Sequence, residues 1–275
     1  TPPLGMSFWE ERVVDAVQIG AMLEWRGFPL MPQVIATIAQ LWLYPVKSMA
    51  GVSVEEAHVG LDGILGDRQY AFVRAEQAAR NSFPWMTARE SSRMLFYKPY
   101  FAQLPTPEQP EPAVRVRTPA DTECEPGDLS LREELANELG QPLFLLKSAR
   151  GMFDCQHLSL FSLASVRALA EEAGCPIDPR QFRANLFVEP ASSQPFEEET
   201  WAGSLLQVGD QVLTGVTQRD PRCMMVNLDP ESGKQDPRVL RAIAQKHQGQ
   251  AGVYANVIRP GVIRVGDTLR LLTSS

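Results

Sequence analysis

"SLLQVGDQVLTGVTQ", residues 204–218, alternates apolar and polar side chains on both sides of Gly209-Asp210. Period-two alternation interrupted by a Gly-Asp pair predicts two short antiparallel strands joined by a tight turn. The same texture returns in "VIRPGVIRVGDTLRLL", residues 257–272, around Pro260-Gly261 and again around Gly266-Asp267. Two Val-Gly-Asp turns do not establish a repeat, but they predict a mostly β, barrel-like half carrying one or two helices. "SLFSLASVRALAEEAG" (159–174) is the first such helix, with Ser162 and Ser165 as caps and Gly174 as its stop, and "FRANLFVEP" (182–190) reads as a strand entering a loop.

Upstream the strand texture continues. "VIATIAQLWLYPV" (34–46) is rich in β-branched and aromatic residues and "VSVEEAHVG" (52–60) alternates, which predicts a strand pair joined through "KSMAG". Glycines mark turns in "GLDGILGDRQYAFVRAE" (60–76) before a strand over 69–73. The proline and acid cluster of 104–128 predicts loop around one strand, 113–117. A helix over 130–139, ended by Gly140, and a strand over 142–146 follow. The expected fold class is therefore mostly β with some α (α+β), divided into an extension (1–33), a first β-barrel domain (34–148) and a barrel-like second domain (149–275). The extension has helical periodicity over 8–25, with Val13, Val14, Val17 and Met22 among charged residues. Its carboxylates and missing basic start exclude a secretory signal, and no apolar run reaches the roughly 20 residues of a membrane span. An amphipathic helix packed on the body and a non-functional leader upstream of Met31 both remain open.

With 275 residues and 44% apolar content the chain can bury a sizeable core. Its net charge of -7 argues against nucleic acid or an anionic membrane as the main partner, while leaving room for a local basic pocket. Cys124, Cys155, Cys175 and Cys223 lack the spacing of a disulfide framework or a zinc knuckle, so reduced thiols in a cytoplasmic protein are expected. Three scattered histidines make a histidine-rich metal site a poor reading. Cys223, in "RDPRCMMVNLDPESG" (219–233), reads on its own first as a small packed hydrophobe and only second as a ligand.

Several stretches, in order, resemble the MOSC superfamily: "LYPVKSMAGVSV", "GDRQYAFV", "MTARE", "FRANLFV", "PFEEETWAGSLLQVGD", "RCMMVNLDPESG" and "GVYANVIRPGVIRVGD". The resemblance covers residues 34–273 and is to proteins with an N-terminal MOSC β-barrel domain followed by the MOSC domain, among them the amidoxime-reducing components. It implies a pyranopterin-dithiolene molybdenum cofactor (molybdopterin, Mo) with Cys223 as the metal's protein ligand, a soft thiolate suited to a soft redox centre. It places Lys47, Ser48, Arg68, Arg183, Asn185, Arg222 and Tyr254 around the cofactor, where arginine forks and a lysine point charge suit a phosphate. Asp154 aligns with an acidic residue near the metal that could pass protons.

The sequence also departs from the family pattern. Asp220-Pro221 stands where relatives usually carry Cys-Ser before Arg-Cys, Cys155-Gln156 replaces hydroxyl residues, and Ala184 replaces a proline. The resemblance implies a molybdenum-dependent oxidoreductase that reduces small N-hydroxylated substrates with electrons from a separate reductase. Its alternatives are a carrier of the cofactor or of sulfur without turnover, and a degenerate module without metal.

Overall fold

The computed structural model describes residues 30–74 and 84–274. Seven strands close into a barrel. Leu30–Leu43 runs antiparallel to Thr268–Ser274 on one side and to Leu186–Pro190 on the other. From Leu186–Pro190 the ring continues through Leu158–Ser162, Gln250–Arg259, Val212–Pro221 and Leu205–Val208, and returns to Thr268–Ser274. Closure leaves the ring without a free edge. Only Leu158–Ser162 and Leu186–Pro190 run parallel, and the connection between them carries the helix Leu163–Ala173, as a parallel crossover requires.

The hairpin read from 204–218 forms with the predicted turn: Val208 faces Val212 and Leu205 faces Gly215. Leu206 and Val208 point into the barrel, where they meet Ile38, Leu41, Leu186, Val188 and Val253. A second apolar cluster belongs to the first half. There Tyr70–Arg74 pairs with Leu143–Lys147, Lys98–Phe101 with Val114–Arg117, and the helix Leu129–Leu139 buries Leu131 and Leu135 on one face. Gly140 ends that helix in the left-handed conformation, at φ 72°.

Residues 52–60 do not form one strand. Burial falls on Val54 and then on Ala57 and Val59, so the alternation slips by one residue at Glu55. Val52–Val54 pairs with the barrel strand, whereas Glu56–Gly60 leaves to pair with Gly261–Arg264. Residues 158–162, expected at the start of a helix, are a fully buried barrel strand. Ser162 caps the helix as expected, accepting from the amides of Ala164 and Ser165, but Ser165 lies within the first turn and donates to buried Glu198 at 3.0 Å. The helix Arg238–Lys246 was not anticipated; it buries Val239, Ala242 and Ile243.

The first barrel strand precedes the expected boundary at 148, yet it completes the barrel formed by the second half. The two halves thus share a wall, and that sharing brings Tyr44, Lys47 and Ser48 beside residues more than a hundred positions later. The expected helix over 8–25 lies outside the described residues. Among the described residues, no helix is long and apolar enough to cross a membrane.

Candidate functional site

A cavity of about 310 Å³ opens where the end of the first barrel strand meets the 181–183 and 220–226 segments. Eight of the nine residues singled out from the sequence line it: Lys47, Ser48, Arg68, Asp154, Arg183, Arg222, Cys223 and Tyr254. The ninth, Asn185, lies behind the wall, 1% exposed. Its amide nitrogen donates to Trp42 O at 3.1 Å and to Asp67 Oδ2 at 2.9 Å, so it holds the wall instead of facing the cavity.

Asp67 organises that wall. This buried carboxylate also accepts from the Tyr44 amide at 2.7 Å and from the Arg68 guanidinium. Arg68 spans the two halves by donating to Arg183 O at 2.9 Å, and Arg183 in turn donates to Met49 O at 2.8 Å. Both guanidiniums sit over the Tyr44 ring, at 4.8 and 4.2 Å from its centroid. Ser48, Arg68 and Arg183 all adopt positive φ (68°, 51° and 54°). Such conformations cost free energy for non-glycine residues and gather at functional sites.

Lys47 is 6% exposed, with its ammonium 2.5 Å from Asp154 Oδ1 and donating to Met152 O at 2.8 Å. Burial pulls its pKa down to about 8, although Asp154 opposes the shift. Asp154 is half-exposed at the rim. Burial likewise lowers Arg183 to about 10. Cys223 is exposed at the start of a short 3-10 turn, Met224–Asn227, that follows the strand Val212–Pro221. A second exposed thiol, Cys155, lines the same cavity; it accepts from Gln218 Nε2 at 3.2 Å, and burial raises its pKa.

Arg222 has a different part from the one expected. Its guanidinium donates to Ala251 O at 2.7 Å and Phe182 O at 2.9 Å, and pairs with Asp220 at 2.8 Å between the Phe161 and Phe182 rings. Asp220 is 2% exposed and also accepts from Ser159 and Tyr254. The Asp220-Pro221 departure is therefore built into a buried ion pair, and the wall beside Cys223 is closed. Sequence reading gave no role to Asp67, Ser159 or Gln181, and named Asp220 only as a departure from the family pattern. It also left unnamed Thr87 and Arg89 of "MTARE", which line the cavity. The quoted motifs "GDRQYAFV" and "MTARE" contain Asp67, Thr87 and Arg89, so the signal lay in stretches already singled out whose residues were given no role.

Five cations (Lys47, Arg68, Arg89, Arg183, Arg222) face two carboxylates (Asp154, Asp220) across the cavity. The Nη2 atoms of Arg183 and Arg222 are buried without a hydrogen-bond partner. Orphaned guanidinium donors are costly in a folded protein, and an anionic ligand would satisfy them. Among the described residues, no three His, Cys, Asp or Glu side chains converge as a metal-ligand set. A metal here would have one thiolate from the chain and its other ligands from elsewhere.

Residues 35–134 match the MOSC N-terminal beta barrel domain and residues 147–270 match the MOSC domain. The chain belongs to the MOSC family. Among curated proteins, this MOSC protein is 25% identical to human mitochondrial amidoxime-reducing component 1, over 94% of this chain and 91% of that protein. It is also 25% identical to mitochondrial amidoxime reducing component 2 of Macaca fascicularis, over 92% of this chain and 89% of that protein. A molybdenum cofactor sulfurase of Drosophila grimshawi is 26% identical over 90% of this chain, which covers 35% of that longer protein.

Proposed function

We propose that the smaller cavity binds a molybdenum–pyranopterin cofactor, with the Cys223 thiolate as the chain's ligand to the metal, and that the protein reduces small N-hydroxylated compounds. One observation carries the reading: an exposed thiol stands at a cavity lined by five cations, two of which have buried, unpartnered N–H groups. That is the donor set for a phosphate-bearing, soft-metal group. Lys47, Ser48, Arg68, Arg183 and Arg222 hold its anionic and polar parts, while Asn185, Asp67 and Asp220 keep those residues in place.

When bound, the cofactor supplies the two-electron redox change. The overall reaction breaks one N–O bond: an N-hydroxylated compound, two electrons and two protons give the amine and water. The chain's part is to bind, orient and hold protons. Asp154 at the rim and the buried Lys47 ammonium, 2.5 Å apart, form a two-group path from solvent to the cavity. The electrons come from a separate reductase, and the protein is placed in the cytoplasm.

Molybdenum and released-pterin content, measured on protein from a cofactor-competent host, tests the binding. Near-stoichiometric metal and pterin, with metal lost in Cys223→Ala, is the expected result. Turnover of benzamidoxime with an artificial reductant tests the chemistry. Full loading without turnover would replace the reductase reading with that of a cofactor or sulfur carrier, which the Asp220-Pro221 departure favours.

A further inference from the structure

A larger cavity of about 720 Å³ lies between the two halves and shares Gln181, Arg183 and Met225 with the smaller one. Its volume is that of a small-molecule site, and junctions between packed units are where such sites concentrate. Half-buried Trp42 and Phe96 give it an aromatic wall, and the buried Tyr44 ring, covered by Arg68 and Arg183, stands behind it. Gly51 lies tight against that wall: a Cβ there would stand 2.6 Å from Tyr44 Cε1 and 3.0 Å from the Trp42 ring. Only glycine lets the backbone pass so close to both rings.

The cavity's charge is opposite to the chain's. Lys98, Arg117, Arg180 and Arg183 line it against Asp121 and Glu231, in a protein of net charge -7. Two of these cations are committed elsewhere: Arg180 to Asp178 and Glu231, each at 2.6 Å, and Arg117 to Glu123 at 3.0 Å. The other two join no ion pair among the described residues, although Arg183 Nη1 donates to Met49 O at 2.8 Å. Lys98 is exposed, and the Arg183 Nη2 is buried without a hydrogen-bond partner.

We propose that this cavity is a second small-molecule site, taking a planar aromatic ring that bears an anionic group: the ring against Trp42 and Phe96, the anion on Lys98 and Arg183. A nucleoside monophosphate and an aryl carboxylate share that chemistry. The site shares Arg183 with the proposed cofactor site, which couples the two cavities, so the test is made on cofactor-free protein.

The test is calorimetric titration of the cofactor-free full chain with AMP, CMP and benzoate, and with adenosine and inorganic phosphate as the separate halves. At least one ring-plus-anion probe is expected to bind about tenfold more tightly than either half. Ser53→Trp, which fills the cavity from an exposed position on its wall, and Lys98→Glu should each weaken that probe by about tenfold or more. Both replace exposed residues, so unchanged melting curves are the control for folding. Binding of nucleotides alone, or of benzoate alone, identifies the source of the ligand. Two results overturn the proposal: no ring-plus-anion probe binds better than its halves, or binding is unchanged in both variants, which would put the ligand in the smaller cavity.

Discussion

Lys47 allows the cavity's electrostatics to be measured without any cofactor. Burial beside Arg68 and Arg183 lowers its pKa from 10.5 to about 8. At pH 7.5 an amine of pKa 8 is about 24% neutral, against about 0.1% for an ordinary lysine, a ratio of roughly 240. Intrinsic nucleophilicity falls with basicity, and a Brønsted slope of about 0.4–0.5, as measured for thiolates, removes a factor of roughly 10–18. Burial and the bonds to Asp154 and Met152 O slow access of the reagent, so the midpoint of the labelling curve, not its absolute rate, is the readout. Competitive acetylation from pH 6 to 11, read by mass spectrometry on the peptide containing Lys47, gives the midpoint directly. Asp154 raises the Lys47 pKa by charge and hydrogen bond, so Asp154→Asn should move the midpoint below 8. Bound phosphate should move it up. A midpoint near that of free lysine, or an upward shift in Asp154→Asn, would refute the reasoning. The same shift has a stability sign. The fold binds fewer protons than the unfolded chain between about pH 8 and 10.5, so stability rises with pH across that window. Below pH 8 the buried ammonium costs about 3 kcal/mol, and Lys47→Met should raise the denaturation midpoint at pH 7 while weakening anion binding.

Three further outcomes are expected. Asp220→Asn leaves the Arg222 charge buried without its counter-ion and should destabilise the fold by about 3–5 kcal/mol in chemical denaturation, whereas Asp220→Asn with Arg222→Met should recover much of the loss; equal destabilisation in both would show that the pair is not the cause. Burial raises the Glu198 pKa to about 7, so the folded state holds a proton that the unfolded chain gives up between about pH 4.5 and 7. Stability should fall by about 3 kcal/mol over that window, and a Glu198→Gln variant should not show the fall. Cys223→Ser changes an exposed side chain and should shift stability by no more than about 0.5 kcal/mol, which makes loss of metal in that variant a statement about ligation and not about folding.

The parts of this protein legible in its sequence are those whose signal is local. The 204–218 hairpin is carried by alternation over eleven residues and a Gly-Asp turn, and Gly140 and Gly174 end their helices because the left-handed conformation suits glycine. The slip at Glu55 escaped because the stretch alternates convincingly on either side, and a one-residue phase change is small against that background. The helix Arg238–Lys246 had a local signal too: apolar residues at 239, 242 and 243, after Asp236-Pro237. Barrel closure had none. Ile38 meets Val188, 150 positions later, and nothing in either segment names the other.

The site divides along the same line. Motif resemblance pointed to eight residues that line the smaller cavity. It did not separate Asn185, which lies behind the wall, from the residues that line the cavity, and it overlooked Asp67, on which Tyr44, Arg68 and Asn185 converge. A residue's type reveals what it can bind but not whether its partner is ligand or protein. Asp220 makes the point most sharply. Read in one dimension, an acid three residues before a presumed metal thiolate looks like damage to the site. In the fold it is buried against Arg222, Ser159 and Tyr254, so the acid is built into the cavity wall as the partner of a cation, and the cavity keeps its other cations and its thiol.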